Sequence, residues 1–307
     1  MTNDRPLLGI ALMTGFCALA PLGDSIAKIL GDTVPLVQLL LVRFAFQGVL
    51  LLPWVGWRTI GLALSRRFLW LTGLRTLFHM IGIGAMFASL RYLPLADAVA
   101  IAFVMPFIML LLGKLVLKEE VGPRRLAACA VGFAGTLLVI QPSFQNVGWP
   151  ALLPLVVAVA FSFFMLVTRQ LARESDPIAL QAVSGLMASV VLVVAVGIGW
   201  RFAVPHLTVI APDATEIALL ATIGVLGTFA HLLMTWSLRF APASTLAPMQ
   251  YLEIPFATVI GWAIFRDLPN GLAALGIAIT IAAGLYIVVR ERSLARAQKT
   301  VAPAAAE

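Results

Sequence analysis

Arg91-Tyr92-Leu93-Pro94-Leu95-Ala96-Asp97 returns 148 residues further on as Arg239-Phe240-Ala241-Pro242-Ala243-Ser244-Thr245. Pro106 answers Pro255, and Gly135-Thr136-Leu137-Leu138-Val139 answers Gly284-Leu285-Tyr286-Ile287-Val288, both at a spacing of 149. Lys118-Glu119 answers Arg266-Asp267. An ordered series of this kind marks a duplicated unit. Each unit contains five apolar runs, and because five is odd the second copy must enter a membrane upside down. Inverted repeats build many secondary transporters, with the substrate near the midplane where the halves meet.

That the runs are membrane spans follows from composition. Of 307 residues, 61% are hydrophobic and 11% charged, with a mean hydropathy of +1.02. Soluble domains are about 45–50% apolar and about 25% charged. A helix needs about 20 apolar residues to cross a bilayer. Ten runs qualify: roughly 7–30, 35–57, 69–91, 94–117, 124–141, 149–171, 177–200, 214–238, 242–265 and 270–290, the fifth being the shortest. The expected fold is an all-α ten-helix membrane bundle, with the first run retained as a span.

The net charge of +7 does not point to nucleic acid, because the basic residues cluster in short segments between the runs. With the N-terminus inside, the inner segments carry fifteen Lys and Arg, and the outer ones only Lys28, Arg91, Arg201 and Arg266. This bias predicts that both termini are cytoplasmic. The basic, then Ala/Pro-rich tail 291–307 reads as a disordered anchor beside anionic lipid. Cys17 and Cys129 lie in apolar runs and imply no disulfide. Trp54, Trp57, Trp149 and Trp200 sit near span ends, as interfacial residues do.

The ninth run holds Ala247-Pro248-Met249-Gln250-Tyr251-Leu252-Glu253-Ile254-Pro255. Each proline removes a backbone donor and frees a carbonyl. Glu253 places a carboxylate almost at bilayer centre, where a charge costs about 3 kcal/mol on insertion scales. It needs a partner or a task. In one reading it lines a cavity, holding a cationic or donor-rich substrate or taking up a proton. In the other it is locked to Arg75, Arg43 or a histidine and fixes packing. The first repeat carries Met105 where Glu253 stands, an apolar counterpart across the cavity.

The two units resemble the paired EamA domains of the drug/metabolite transporter superfamily. The resemblance is carried by Leu90 to Ala98, Pro106, Leu117-Lys118-Glu119-Glu120 and Arg43, with Leu238 to Ser244 and Glu253-Ile254-Pro255 in the second copy. It implies ten helices in an inverted repeat (1–141 and 149–290), cytoplasmic termini and a central cavity with alternating access. Leu93 to Ala98 and Leu246 to Tyr251 are most similar to the branch of riboflavin and S-adenosylmethionine importers. The resemblance thus implies a secondary transporter of a small organic metabolite in a bacterial cytoplasmic membrane. Import of riboflavin or a similar heterocycle fits best, export of amino acids or related metabolites being the alternative.

Arg75 and His79, four apart, share one face of the third span, and Thr228, His231 and Thr235 share one face of the eighth. These stripes should face the bundle interior, since lipid disfavours them. Phe103, Tyr251 and Trp236 offer rings for stacking on a flat heterocycle, at about 0.5–1.5 kcal/mol each. Gln250 could bond a carbonyl or uracil-like edge. Arg43 reads as structural, capping carbonyls or pairing with a carboxylate, and Asp97 as the dipole-stabilising acid of the fourth helix. Pro106 and Pro255 complete the structural set. Asp24 and Lys28, four apart, should pair with each other. Ala128-x-x-x-Gly132 and Gly276-x-x-x-Thr280-x-x-x-Gly284 permit close helix approach, in internal packing or at a homodimer seam. A membrane-embedded enzyme would need clustered ligands or a nucleophile–base pair. The three histidines His79, His206 and His231 sit in no such motif, and the chain has no phosphate-binding glycine loop, so neither catalysis nor a cofactor is expected.

Overall fold

A computed structural model describes residues 5–55, 65–116, 123–204, 207–241 and 246–301. The described chain is helical. Seven helices are long and apolar enough to cross a membrane, and three shorter apolar segments lie at Leu95–Met109, Met249–Phe265 and Gly271–Ala283. The helices are α1 (Pro6–Leu30), α2 (Leu36–Leu51), α3 (Arg66–Ser89), α4 (Leu95–Ala102), α5 (Met105–Leu115), α6 (Pro123–Val147), α7 (Leu153–Glu174), α8 (Pro177–Phe202), α9 (Ala214–Phe240), α10 (Glu253–Phe265) and α11 (Gly271–Val301). Short 3₁₀ turns at Leu52–Trp54, Trp149–Leu152 and Ala247–Leu252 precede or follow them.

Local chemistry sets the helix ends. Ser65 accepts from Phe68 N at 3.2 Å and starts α3 three residues ahead of the expected 69. Asp213 and Glu216 form a reciprocal capping box on α9. The expected end of the fifth run at 141 is wrong: α6 is 25 residues long and carries Pro142 inside it. Ser143 Oγ, one residue after that proline, donates to Val139 O at 3.1 Å. The tail is also corrected, since α11 runs as helix to Val301. Residues 291–301 contain no Gly or Pro and are rich in Ala, Arg, Leu and Lys, all strong helix formers.

Apolar side chains cover the outside of the bundle as well as filling most of its core, and the polar side chains within the spans turn in. On α8, Gln181, Ser184 and Gly185 are buried while Val190, Val191, Val193 and Val194 are exposed. Trp54, Trp149 and Trp200 are 73%, 77% and 87% exposed, as the interfacial reading requires; Trp57 lies outside the described residues. The strongest helix pairings are α1 with α9, α6 with α11, α3 with α7, and α2 with α8; α2 also packs on α9, and α4 on α10.

Glycine permits the tightest of these. A Cβ on Gly276 would lie 2.4 Å from the Gly135 carbonyl oxygen, and one on Gly185 2.6 Å from Gly48 N. Thr280 Oγ1 donates to Gly132 O at 3.3 Å across the α6–α11 contact. These members of the small-residue stripes therefore serve internal packing.

Candidate functional site

Two of the ten apolar runs are interrupted at corresponding points. The fourth breaks at Phe103–Val104, between α4 and α5, and the ninth turns from the 3₁₀ segment into α10 at Leu252–Glu253. Met105 and Glu253 are each the first residue of the helix that follows. Pro106 and Pro255 fall in the first turn of those helices, where a missing N–H costs no intrahelical bond. Side chains of neighbouring helices bond carbonyls around the two breaks: Thr136 Oγ1 donates to Ala100 O at 3.5 Å, Ser162 Oγ to Met105 O at 3.3 Å, and Cys17 Sγ lies 3.6 Å from Met249 O.

The breaks flank a central cavity. Its apolar wall includes Phe16, Phe87, Phe103, Met105 and Phe161, and its polar wall Asp24, Arg43, His231, Gln250 and Glu253. The cavity has a volume of about 60 Å³. The space is a set of narrow crevices that must widen to take a fused-ring metabolite.

Six of the residues singled out from sequence line this space: Glu253, Gln250, His231, Phe103, Met105 and Arg43. Tyr251 stands behind Phe103, ring centroids 5.3 Å apart. His79 lies behind His231 at 4.5 Å and stacks on Phe164 at 4.4 Å; both its ring nitrogens lack a hydrogen-bond partner among the described residues. Trp236 is elsewhere, packed on the Leu51, Ala182 and Leu232 cluster. Asp97 accepts from Ser143 Oγ at 3.2 Å and caps no backbone group with its side chain.

The locked reading of Glu253 finds no support: neither it nor Asp24 makes a hydrogen bond or ion pair with any described residue. Arg43 bonds instead to a neutral ring, with Nη2 2.9 Å from His231 Nδ1. The expected Asp24–Lys28 pair is corrected as well. Lys28 Nζ bonds Asp267 Oδ2 at 3.2 Å and Leu93 O at 3.1 Å, because the end of α10 approaches α1 and offers a carboxylate with better reach. Asp24 is left facing the cavity.

Gln250 is buried with its amide nitrogen 3.0 Å from Met165 Sδ, and its Oε1 has no hydrogen-bond partner among the described residues. Gln250 can thus offer an acceptor to the cavity.

Arg75 forms a second polar centre outside the cavity lining. Nε donates to Thr168 Oγ1 and Nη1 to Ser184 Oγ, both at 2.8 Å, and the guanidinium lies 4.4 Å over Phe164. Thr76 Oγ1 is 2.7 Å from Ser184 Oγ, and Gln181 Nε2 donates to Thr235 Oγ1 at 2.7 Å. Gln47, Thr168, Gln181 and Ser184 escaped the sequence reading, which attended to ionisable groups; the signal available was polarity inside apolar runs. No carboxylate pairs with Arg75 among the described residues; of its hydroxyl partners, Thr168 Oγ1 already donates to Phe164 O of its own helix and Ser184 Oγ already bonds Thr76 Oγ1. Replacing an unpaired buried charge by an apolar chain of similar length is often neutral or stabilising. Arg75→Met is therefore expected to melt at or above the wild-type temperature in detergent. A fall of more than about 2 kcal/mol would mean that these bonds outweigh the desolvation cost.

The EamA-like transporter family matches the chain twice, over residues 7–141 and 148–290. The chain belongs to this family. It is 30% identical over 258 residues to a riboflavin transporter of Rhizobium johnstonii, covering 81% of this chain and 80% of that one. An S-adenosylmethionine uptake transporter of Rickettsia prowazekii is 24% identical, covering 88% and 89%. A pseudopaline exporter of Pseudomonas aeruginosa is 27% identical, covering 90% and 92%. One crystal structure aligns over 92% of this chain and 96% of its own with a TM-score of 0.65 and 20% identity, which supports the fold alone. This EamA-like transporter is thus a multi-pass membrane protein whose two matched segments meet around the central cavity.

Proposed function

We propose that the chain is a secondary transporter that moves a small organic metabolite across the bacterial inner membrane by alternating access. The observation that carries this is the central cavity itself, flanked by two interrupted helices and lined by two carboxyl groups, Asp24 and Glu253, whose side chains bond no described residue. Discontinuous helices meeting at mid-membrane are how many secondary transporters assemble a substrate site. The relatives' names favour transport over membrane catalysis.

Ten spans in two inverted repeats, 1–141 and 149–290, with both termini cytoplasmic, give the best account of the helix pairings. Exchanging each span of one half with its counterpart in the other maps the α1–α9 pair onto α3–α7. It leaves α2–α8, α6–α11 and α4–α10 in place. In that orientation the cavity lies in the outer half. The inner half is closed by the Arg75 cluster, by Arg169 Nη1 bonded to Leu238 O, and by Arg5 N bonded to Phe240 O.

Import of riboflavin or a similar heterocycle is the favoured activity, because the Rhizobium relative is named a riboflavin transporter and the aromatic wall suits a flat ring. Export of amino-acid-like metabolites is the second reading, favoured by Asp24 and Arg43 on one cavity and by the exporter among the relatives. Riboflavin should raise the melting temperature of the purified protein and enter reconstituted vesicles faster than into empty ones. A broad panel with no response to flavins, nucleosides or S-adenosylmethionine would overturn the substrate assignment.

A further inference from the structure

The contact between Arg43 and His231 fixes what the cavity wall can offer a ligand. A guanidinium has donors only, so the 2.9 Å approach of Arg43 Nη2 requires His231 Nδ1 to accept. Nδ1 also lies 3.1 Å from the Gly227 carbonyl, but it cannot donate there while accepting from Arg43. A doubly protonated ring would set two cations against each other. The imidazole is therefore neutral with its hydrogen on Nε2.

Nε2 has no partner among the described residues, and neither has Arg43 Nη1. The two side chains are 4% and 2% exposed, and both line the cavity. Their placement is built from several sides. Gly227 leaves room for the guanidinium, since a Cβ there would lie 3.0 Å from Arg43 Nε and 3.3 Å from Cζ. Phe16 sets its ring at 84° to His231 with centroids 5.5 Å apart, and Gln181 Nε2 holds the His231 carbonyl at 2.7 Å. Two buried donors without acceptors share one wall of a narrow space.

We propose that Arg43 Nη1 and His231 Nε2 form a two-donor subsite for an acceptor-only oxygen of the substrate, a ring carbonyl or a carboxylate. Asp24, Glu253 and Gln250 Oε1 then remain for the donors of the same molecule. The subsite rests on the cavity being the transport site, and it assigns Arg43 to binding where the sequence alone suggested scaffolding.

The test uses full-length protein in lipid nanodiscs with ¹⁵N-labelled histidine, three residues in all. The His231 signals are identified by their loss in His231→Gln. The expected spectrum has a protonated Nε2 and an unprotonated Nδ1, and benzoate, a flat ring with one carboxylate, shifts the Nε2 signal saturably. Riboflavin, with ring carbonyls and no carboxylate, is the second probe. Arg43→Met and His231→Leu should each weaken benzoate binding at least about tenfold, and Arg43→Met, which removes the donor facing Nδ1, should abolish the tautomer preference.

A protonated Nδ1 in the wild type overturns the proposal, as does saturating benzoate that leaves Nε2 unmoved, or unchanged affinity in both variants. The wild-type spectrum decides the matter even where a variant fails to fold. If benzoate binds as described and riboflavin does not, the subsite stands and the riboflavin assignment falls.

Discussion

Glu253→Gln is expected to lower transport in reconstituted vesicles by roughly a hundredfold, with the folded protein intact. The carboxylate sits at the first position of α10, lines the cavity and bonds no described residue, so no scaffold contact is lost on substitution. Glutamine keeps the shape and one acceptor but removes the charge. A charge-assisted hydrogen bond is worth about 1.5–3 kcal/mol, which corresponds to about 10- to 150-fold. Removing a buried charge also lifts a desolvation cost, so thermal unfolding should stay at or above the wild-type temperature. Uptake measured across a pH series is the deciding experiment. Wild-type rates with an unchanged pH profile would remove Glu253 from the mechanism.

Gly276→Ala should do the opposite, destroying the fold without touching the cavity. The new methyl would stand 2.4 Å from the Gly135 carbonyl oxygen and 2.9 Å from Val139 Cγ2. Backbone cannot swing aside as a long side chain can, so α6 and α11 must separate along their whole contact, and with them the Thr280–Gly132 bond. Overpacking usually costs about 1–3 kcal/mol, and a clash with backbone belongs at or beyond the upper end. Gly73→Ala is the matched control, because nothing lies within 4 Å of its Cβ and alanine favours helix. Detergent melting curves should show a large fall for the first and none for the second. Equal melting temperatures would mean that the α6–α11 contact is not close-packed.

Much of the molecule was legible before any coordinates. Hydropathy is a local property, and the residues that carry it located the long helices to within a few positions. The repeat placed Pro106 against Pro255 and singled out Glu253 and Met105, which do meet at one cavity. Rules about single residues did less well. The fifth apolar run was expected to end at 141, but α6 continues through Pro142 to Val147. The i, i+4 spacing of Asp24 and Lys28 suggested a pair, but such a pair is weak at a helix surface, about 0.2–0.5 kcal/mol. Asp267, 239 residues away, competes successfully for Lys28. Trp236 looked like a pocket ring because of its span, yet its side of α9 faces Leu51 and Ala182.

The sequence alone determined that this chain enters a membrane, where its helices run and which buried charges need an explanation. Those properties depend on composition within a few turns of helix. Only the tertiary structure decided that the Glu253 and Asp24 side chains bond no described residue while Arg75 is held by hydroxyls and Arg43 by an imidazole. Which group faces which depends on how each helix is rotated about its axis and how closely it crosses its neighbour. At contacts such as Gly135 on Gly276 that geometry is set by residues distant in the chain.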